Sequence, residues 1–140
     1  MNILRFIIPK SSVEYITKGS TVRQALEKMR YHRYVAIPVL DDEGIYLGTL
    51  RSDDIFRYFL DNKTFDKRSA EEDLVESILD LSYSRPMPHD APISELFERV
   101  KEHNFVAVTD DRGCFIGIIL RRSVVDYLQG FYIEEKEERF

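Results

Sequence analysis

The chain has 140 residues, of which 44% are hydrophobic and 32% charged, and its formal net charge is −5. This composition is ordinary for a folded domain and excludes a disordered chain, while the negative charge argues against a general nucleic-acid binder, which needs a concentrated basic face. The lone cysteine can form no disulfide within the chain, and no apolar run is long enough to cross a bilayer, so we expect a cytoplasmic protein without membrane contact.

The first half of the chain predicts a helix, two strands and a second helix, after an extended lead-in at 12–16. The first helix is indicated by four apolar residues at the spacing of one helix face: Val22, Ala25, Leu26 and Met29. Short apolar runs at 34–37 and 45–50 predict two strands on either side of a turn at 41–44. The second helix is indicated by another apolar set: Ile55, Phe56, Tyr58 and Phe59.

The segment between the halves predicts a linker that contains a helix. Residues 62–68 form a predicted hinge, and a helix is expected over 69–81. Ser69 and Glu72 have the spacing of a capping box at its start. Four apolar residues would then give this helix one buried face: Leu74, Val75, Ile78 and Leu79.

The second half repeats the order of elements in the first, beginning with an extended segment at 84–88. Residues 93–100 match the first helix, His103 matches His32, and Gly117 matches Gly48. Matching Val106-Ala107 to Val35-Ala36 requires a shift of two residues before the turn, so we expect the second copy to lack the Pro38-Val39 extension. The alternative, two unrelated units of the same element order, explains neither the paired histidines nor the paired glycines.

One stretch of the first copy carries a family resemblance. Ala36-Ile37-Pro38-Val39, then Asp41-Asp42, then Gly48-Thr49-Leu50-Arg51-Ser52-Asp53-Asp54-Ile55 resembles the CBS domain, whose pattern is a strand ending in Pro-Val, a turn and Gly-x-x-Thr-x-x-Asp-Ile. CBS domains occur in pairs called Bateman modules. The resemblance implies an α/β (α+β) fold in which two helix-strand-strand-helix repeats pack about a pseudo-twofold axis. It also implies two clefts that take adenine nucleotides.

The expected division of the chain follows from this resemblance. Residues 1–60 form repeat 1 with its N-terminal lead-in, and 61–83 form the linker with its helix. Residues 84–130 form repeat 2, and 131–140 form a charged C-terminal tail that we expect to be a solvated helix end or a frayed terminus.

The chain departs from the family pattern at the predicted site. The family's Thr is replaced by Arg51 in the first copy and by Leu120 in the second, and its ribose-binding Asp is kept as Asp54 but replaced by Ser123. The first cleft is therefore expected to bind ribose better. Ser52 and Asp54 also suit a helix N-terminus, where a hydroxyl or carboxylate complements free N–H groups, and both interpretations stay open.

Arg121 and Arg122 occupy the corresponding helix start in the second copy, where the helix dipole disfavours cations. A phosphate would explain this placement, because guanidinium groups and free helix N–H groups together bind anions. The alternative is that both side chains point into solvent or pair with an acidic neighbour such as Asp126. An Arg-Arg pair here, together with Phe105-Val106-Ala107-Val108, is similar to stand-alone bacterial CBS pairs that bind cyclic di-AMP.

The rest of the predicted pocket is backbone and apolar surface. Ser12 and Val13 on the lead-in are expected to face the strand residues Val35, Ala36 and Ile37, whose peptide groups could bind an adenine edge. Phe105 and Ala107, which match Tyr34 and Ala36, are the expected pocket residues of the second copy. Plain core packing is the alternative for the strand residues.

The function expected from these features is regulatory. The module would bind cyclic di-AMP, or AMP, ADP or ATP, and modulate an unidentified protein partner, with no cofactor and no metal. We also expect a homodimer, with candidate buried residues Phe56, Phe59, Val124 and Leu128. An enzyme is disfavoured because no metal-ligand spacing and no nucleophile motif occurs. The alternative is a pair that has lost its ligand and serves as an oligomerisation or partner-docking module.

Overall fold

The computed structural model describes residues 1–62, 67–83 and 85–139. Its α-helices are α1 (Val22–His32), α2 (Ser52–Asp61), α3 (Lys67–Glu72), α4 (Ile93–Val100) and α5 (Arg121–Arg139). Its strands are β1 (Ile8–Pro9), β2 (Ile16–Thr17), β3 (Ala36–Leu40), β4 (Tyr46–Arg51), β5 (Met87–Pro88), β6 (Phe105–Thr109) and β7 (Phe115–Leu120). Short 3-10 turns lie at Ile3–Phe6, Lys10–Ser12 and Val75–Ser77. None of the described helices is long and apolar enough to span a membrane.

The predicted first helix is confirmed, and both of its ends have local causes. Its start is a capping box, in which the Gln24 N–H donates to Thr21 Oγ1 at 3.1 Å and the Thr21 N–H donates to Gln24 Oε1 at 2.9 Å. The helix ends at Arg33, whose backbone adopts the left-handed conformation. The face predicted to be apolar is the face that is buried.

Two sheets, one for each repeat, make up the frame. The smaller sheet has the order β2-β3-β4 and the larger has the order β1-β7-β6-β5. In each, a short strand pairs in parallel with a longer one, which pairs in turn with its antiparallel hairpin partner. This confirms the expected α/β fold of two repeats.

The N-terminal lead-in packs on repeat 2, although it precedes repeat 1 in the chain. Strand β1 is antiparallel to β7, with Ile8 opposite Ile118. Ile3 and Phe6 are buried in the core of repeat 2 beside Met87 and Leu96. The core of repeat 1 is completed instead by residues of the linker, Ala70 and Val75.

The predicted alignment of the two strands is wrong by two residues. Ala36 pairs with Arg51 and Phe105 pairs with Leu120, so Ala36 corresponds to Phe105 rather than to Ala107. Both strands have five residues, and Pro38-Val39 is part of β3 rather than an extension. The difference in length between the two repeats lies before their first hairpin strands, β3 and β6, because α1 has 11 residues and α4 has 8.

The predicted linker helix over 69–81 is also wrong. The chain forms α3 and then an extended segment at 73–75. The Asp73 carbonyl of this segment accepts from the Val22 N–H, and its Val75 N–H donates to the Ser20 carbonyl, both at 2.9 Å. These bonds hold the linker against the residues before α1 and stop the helix. Ser69 therefore lies inside α3 and is not its cap. Of the predicted hinge, residues 63–66 lie outside the described residues.

The two repeats meet at their hairpin turns. The Tyr46 N–H donates to the Gly113 carbonyl at 3.1 Å, and the Phe115 N–H donates to the Gly44 carbonyl at 2.9 Å. The two bonds are the same bond with the roles of the repeats interchanged, so the pseudo-twofold axis passes between the two bonds. A small core of Leu40, Tyr46, Ala107 and Phe115 surrounds the axis.

Residues 131–139 continue α5 as a helix, which fits the helix-end alternative, and residue 140 lies outside the described residues. The set of residues expected to form a homodimer face is partly wrong. Phe59 and Val124 are buried in the cores of their own repeats, whereas Phe56 and Leu128 are exposed.

The packing of β1 on β7 predicts different costs for two equivalent glycines. Gly117 and Gly48 have nearly the same φ, 157° and 159°. A Cβ at Gly117 would overlap the Ile8 carbonyl oxygen, whereas a Cβ at Gly48 would only touch the flexible side chains of Leu81 and Leu79. We expect Gly117→Ala to lower the free energy of unfolding by roughly 1–3 kcal/mol more than Gly48→Ala. Urea unfolding of both variants measures the difference, and equal losses would contradict the close approach of β1.

Candidate functional site

Two adjacent cavities lie between the repeats and share one wall. The wall consists of Val35 and Ala36 from repeat 1 and Asn104 and Phe105 from repeat 2. The first, here called the polar cavity, has a volume of about 280 Å³ and is otherwise lined by Thr49, Arg51, Ser52, Asp53, Tyr83 and His103. The second, the apolar cavity, has a volume of about 410 Å³ and is otherwise lined by Ile8, Ser12, Val13, Glu14, Arg33, Tyr34, Pro38, Ile118 and Leu120.

The pseudo-twofold axis relates the two cavities. The Ser52 N–H donates to the Val35 carbonyl at 2.9 Å, and the Arg121 N–H donates to the Asn104 carbonyl at 2.8 Å. Ser52 and Arg121 are therefore equivalent, and each begins the helix that follows its hairpin. The same backbone frame thus carries different side chains at the two cavities.

Arg51 is the central charge of the polar cavity. Its Nη2 lies 3.0 Å from Asp54 Oδ1 and 3.7 Å from Asp80 Oδ2, and its guanidinium carbon lies 3.4 Å from the centre of the Tyr83 ring. Burial alone would lower the pKa of Arg51, but the hydrogen bond and the charge of Asp54 raise it above its ordinary value. The guanidinium is therefore a permanent cation that ties repeat 1 to the linker.

Asp54, predicted to bind ribose, is 2% exposed and lines neither cavity. Its carboxylate accepts from the Arg51 backbone N–H at 2.8 Å and from the Arg51 side chain. It therefore acts in the first turn of α2, as the helix-start interpretation expects. Its contact with ribose stays a prediction and would require Arg51 to release it. The neighbouring Asp53 does line the polar cavity.

His103 stands in the polar cavity with its ring edge-on to Tyr83, at a centroid distance of 5.0 Å. Burial lowers the pKa of His103, and the charge of Arg99 lowers it further. The imidazole is therefore neutral at pH 7, so it can accept one hydrogen bond and donate another.

Ser12 and Val13 meet Val35 and Ala36 in the apolar cavity, as the sequence predicts. Arg51 and Ser52 line the polar cavity, and Phe105 lines both. The remaining candidates lie outside both cavities: Ile37, Asp54, Ala107, Arg121 and Arg122. Ile37 and Ala107 are fully buried, which fits the alternative of core packing.

The two arginines at the start of α5 differ from each other. Arg121 Nε donates to the Val100 carbonyl at 2.7 Å, at the end of α4, where a helix favours a cation. Arg122 is exposed and forms no ion pair or hydrogen bond with a described residue. Phosphate binding by either arginine stays a prediction, and the hydrogen bond of Arg121 to the end of α4 is a structural role that the sequence pattern did not predict.

Sequence reasoning missed several residues that line the polar cavity, among them Tyr83, His103 and Asn104. Tyr83 lies in a turn at the end of the linker, and no repeat or motif of the sequence indicated it. Asn104 was hidden by the two-residue alignment error, because its true counterpart is Val35. Among the described residues, no group of three or more His, Cys, Asp or Glu side chains could hold a metal ion.

Comparison with known proteins places these features in a family. The CBS domain family matches residues 7–61 and 86–130. Cyclic di-AMP receptor B of Bacillus subtilis strain 168 is 27% identical over 124 residues, which span 89% of this chain and 84% of that protein.

Two solved structures show the same fold. The crystal structure of CbpB in complex with c-di-AMP has a TM-score of 0.86 at 20% identity, covering 99% of this chain and 91% of that one. The structure of CBSX2 in complex with AMP has a TM-score of 0.74 at 18% identity, covering 94% and 98%.

The arginines at the start of α5 predict unequal effects on stability. We expect Arg121→Ala to lower the free energy of unfolding by about 1 kcal/mol, because the Val100 carbonyl loses a charged hydrogen-bond donor. Arg122→Ala should cause no loss, since it removes an unpaired cation from a helix N-terminus. Urea unfolding at pH 7 compares the two, and equal effects would contradict the capping role of Arg121.

The environment of His103 predicts a pH effect on folding. Its pKa is lower in the folded chain than its ordinary value of 6.5, so the unfolded chain binds more protons in this range. The contribution of His103 to the free energy of unfolding is fully present above about pH 6.5, and it is lost as the pH falls through the lowered pKa of the folded state. We expect His103→Asn to lose less stability than the parent between pH 7 and pH 5, measured by urea unfolding. Parallel pH profiles would contradict this assignment.

Proposed function

Because this chain belongs to the CBS domain family and carries two unequal cavities between its repeats, we propose that it is a regulatory module that binds an adenine nucleotide there. The observation that carries the proposal is the shared wall of the two cavities. Both repeats contribute to it, so a ligand would contact both at once. Such a ligand changes the preferred angle or the rigidity between the repeats.

Cyclic di-AMP is the ligand that we favour over AMP, ADP and ATP. A relative named as a cyclic di-AMP receptor and a CbpB complex with c-di-AMP support this choice. So does the pairing of the cavities, because a dinucleotide has two nucleosides to place on either side of the shared wall. A mononucleotide, as in the AMP complex of CBSX2, would occupy one side.

The two cavities suit different parts of a nucleotide. The apolar cavity offers Pro38, Ile118 and Leu120 as faces against which an adenine packs. The polar cavity offers the Asp53 carboxylate, which can accept from ribose hydroxyls, and the Ser52 hydroxyl and the neutral imidazole of His103, which can donate to phosphate oxygens. Val13 and Ser12 close the apolar side from the lead-in.

The module acts through other proteins rather than by catalysis, and it needs no cofactor. A nucleotide that shifts the repeats alters its affinity for a regulated partner, and the chain itself forms a homodimer. A nucleotide signal of this kind places the protein in the cytoplasm.

A second candidate function is docking without a ligand. One support is the Asp54 carboxylate, which already accepts a hydrogen bond from the Arg51 side chain. The other is the replacement of the family's Thr and Asp by Leu120 and Ser123 in the second copy. The module would then serve only as an oligomerisation or partner-docking unit.

A thermal-shift screen separates these functions. We expect cyclic di-AMP to stabilise the protein by about 2.7 kcal/mol at a hundred times its dissociation constant, which is roughly 5–11 °C at this chain length. Ala36→Phe should abolish the shift, because Ala36 lines both cavities. Its equivalent in repeat 2 is Phe105, so the strand position accepts an aromatic ring.

Leu60→Phe is the matched control, since Leu60 is an exposed residue of α2 that lines neither cavity. Its shift should equal that of the parent. A full shift in Ala36→Phe would contradict the location of the site. No shift of the parent with cyclic di-AMP, AMP, ADP or ATP would favour the ligand-free function.

A further inference from the structure

Tyr83 stands in the polar cavity at the position that Ser12 holds in the apolar cavity. Ser12 lies four residues before Ile16 of β2, and Tyr83 lies four residues before Met87 of β5. These two strands pair in parallel with equivalent residues of β3 and β6. The pseudo-twofold axis therefore exchanges the two side chains, so one cavity has a small hydroxyl group where the other has an aromatic ring.

This difference narrows the polar cavity. Tyr83 and Arg51 are both larger than their counterparts, Ser12 and Leu120, and the volume is about 280 Å³ for the polar cavity and about 410 Å³ for the apolar cavity. Ligand pockets in proteins have volumes of roughly 300–1,000 Å³. The apolar cavity can therefore accept a nucleoside as it stands, whereas the polar cavity has room for one only when the Tyr83 ring moves out.

Two side chains hold this ring, one from each repeat. The Arg51 guanidinium carbon lies 3.4 Å from the ring centre, and the His103 imidazole is edge-on to the ring at a centroid distance of 5.0 Å. Tyr83 nevertheless remains 41% exposed, so it closes the cavity without belonging to a hydrophobic core. A cation–π contact at so exposed a site is weak, and a bound ligand can replace it.

A turn at residues 80–83, here called the 80–83 turn, carries Tyr83, and Asp80 holds it together. Asp80 Oδ1 accepts from the Ser82 N–H at 3.0 Å, and the Asp80 carbonyl accepts from the Tyr83 N–H at 3.4 Å. Asp80 Oδ2 lies 3.7 Å from Arg51 Nη2, so the guanidinium that contacts the ring also faces the base of the turn. Because Arg51 also pairs with the buried Asp54 at 3.0 Å, it can stay in place when the turn moves.

We infer that Tyr83 is a lid on the polar cavity, and that this lid makes the site distinguish a dinucleotide from a mononucleotide. A mononucleotide fills the apolar cavity and leaves the lid closed. The second nucleoside of cyclic di-AMP enters the polar cavity only after Tyr83 has left Arg51 and His103, and the 80–83 turn moves with the ring. The inference rests on the nucleotide site proposed above and states how that site responds to its two classes of ligand.

The test is the affinity of the full chain for cyclic di-AMP and for AMP, measured by isothermal titration calorimetry. We expect Tyr83→Ser, which copies Ser12, to bind cyclic di-AMP at least about fivefold more tightly than the parent, because the ligand no longer has to open a closed lid. The affinity for AMP should stay that of the parent, since the apolar cavity is unchanged.

Two further variants serve as controls. Tyr83→Phe keeps the ring that Arg51 and His103 contact, so its affinities for both nucleotides should remain close to those of the parent. Tyr31→Ser makes the same replacement as the test variant, but at a tyrosine that is 83% exposed and lines neither cavity. It should leave both affinities unchanged.

Hydrogen exchange of the parent protein gives an independent readout of the lid. The amides of Ser82 and Tyr83 are hydrogen-bonded to Asp80 in the closed turn. We expect cyclic di-AMP to speed amide exchange in the 80–83 turn, whereas AMP should not. Direct burial of the turn under a ligand would slow the exchange instead, so the sign of the change separates lid opening from simple contact.

Each outcome of the titrations decides the inference. Weaker or unchanged binding of cyclic di-AMP by Tyr83→Ser would overturn the lid and leave the nucleotide site standing. An equal gain in affinity for AMP would overturn the discrimination between the two ligands. Binding of cyclic di-AMP by Tyr83→Ser and not by the parent would support the lid. If neither protein bound either nucleotide, both the lid and the proposed site would be overturned.

Discussion

Two backbone hydrogen bonds between the hairpin turns set the relation of the repeats, and the proposed site depends on them. They join Tyr46 to Gly113 and Phe115 to Gly44 across the pseudo-twofold axis. The bonds are local, but they fix where the first residues of β3 and β6 lie with respect to each other. Those residues are the shared wall of the two cavities. Any change in the angle at the axis is therefore a change in the shape of both cavities.

The backbone around the two cavities is pseudo-symmetric, but the side chains that line the cavities differ. The position that carries Arg51 in repeat 1 carries Leu120 in repeat 2, and Ser52 and Asp53 correspond to Arg121 and Arg122. One side has become a charged and hydrogen-bonding surface, while the other has become an apolar one. A ligand with two identical halves would place each half in a different environment, so the two halves would contribute unequally to binding.

The sequence predicted the repeat, the helices and most strands, because periodic apolar residues and paired glycines report burial directly. It misplaced one alignment, since Val35-Ala36 and Val106-Ala107 are identical dipeptides at positions that are not equivalent. Propensity also suggested a helix over 69–81, where backbone pairing with residues before α1 wins over local preference. The site was predicted in part. Strand and lead-in residues could be placed from the repeat, but the hydrogen bond from Arg121 to the Val100 carbonyl joins residues 21 apart and depends on a side-chain direction that no spacing encodes.

The position of the N-terminal lead-in has a consequence for the order of folding. Ile8 pairs with Ile118, about 110 residues later in the chain, so β1 can join its sheet only after β7 has been synthesised. Until then Ile3 and Phe6 have no core to enter, while repeat 1 and the linker can already assemble. Closing so long a loop costs little more free energy than closing a short one, but it makes the encounter slow. Residues 3–9 are thus among the last to dock although they precede repeat 1 in the chain, and until they dock the open edge of β7 is exposed to pairing with other chains.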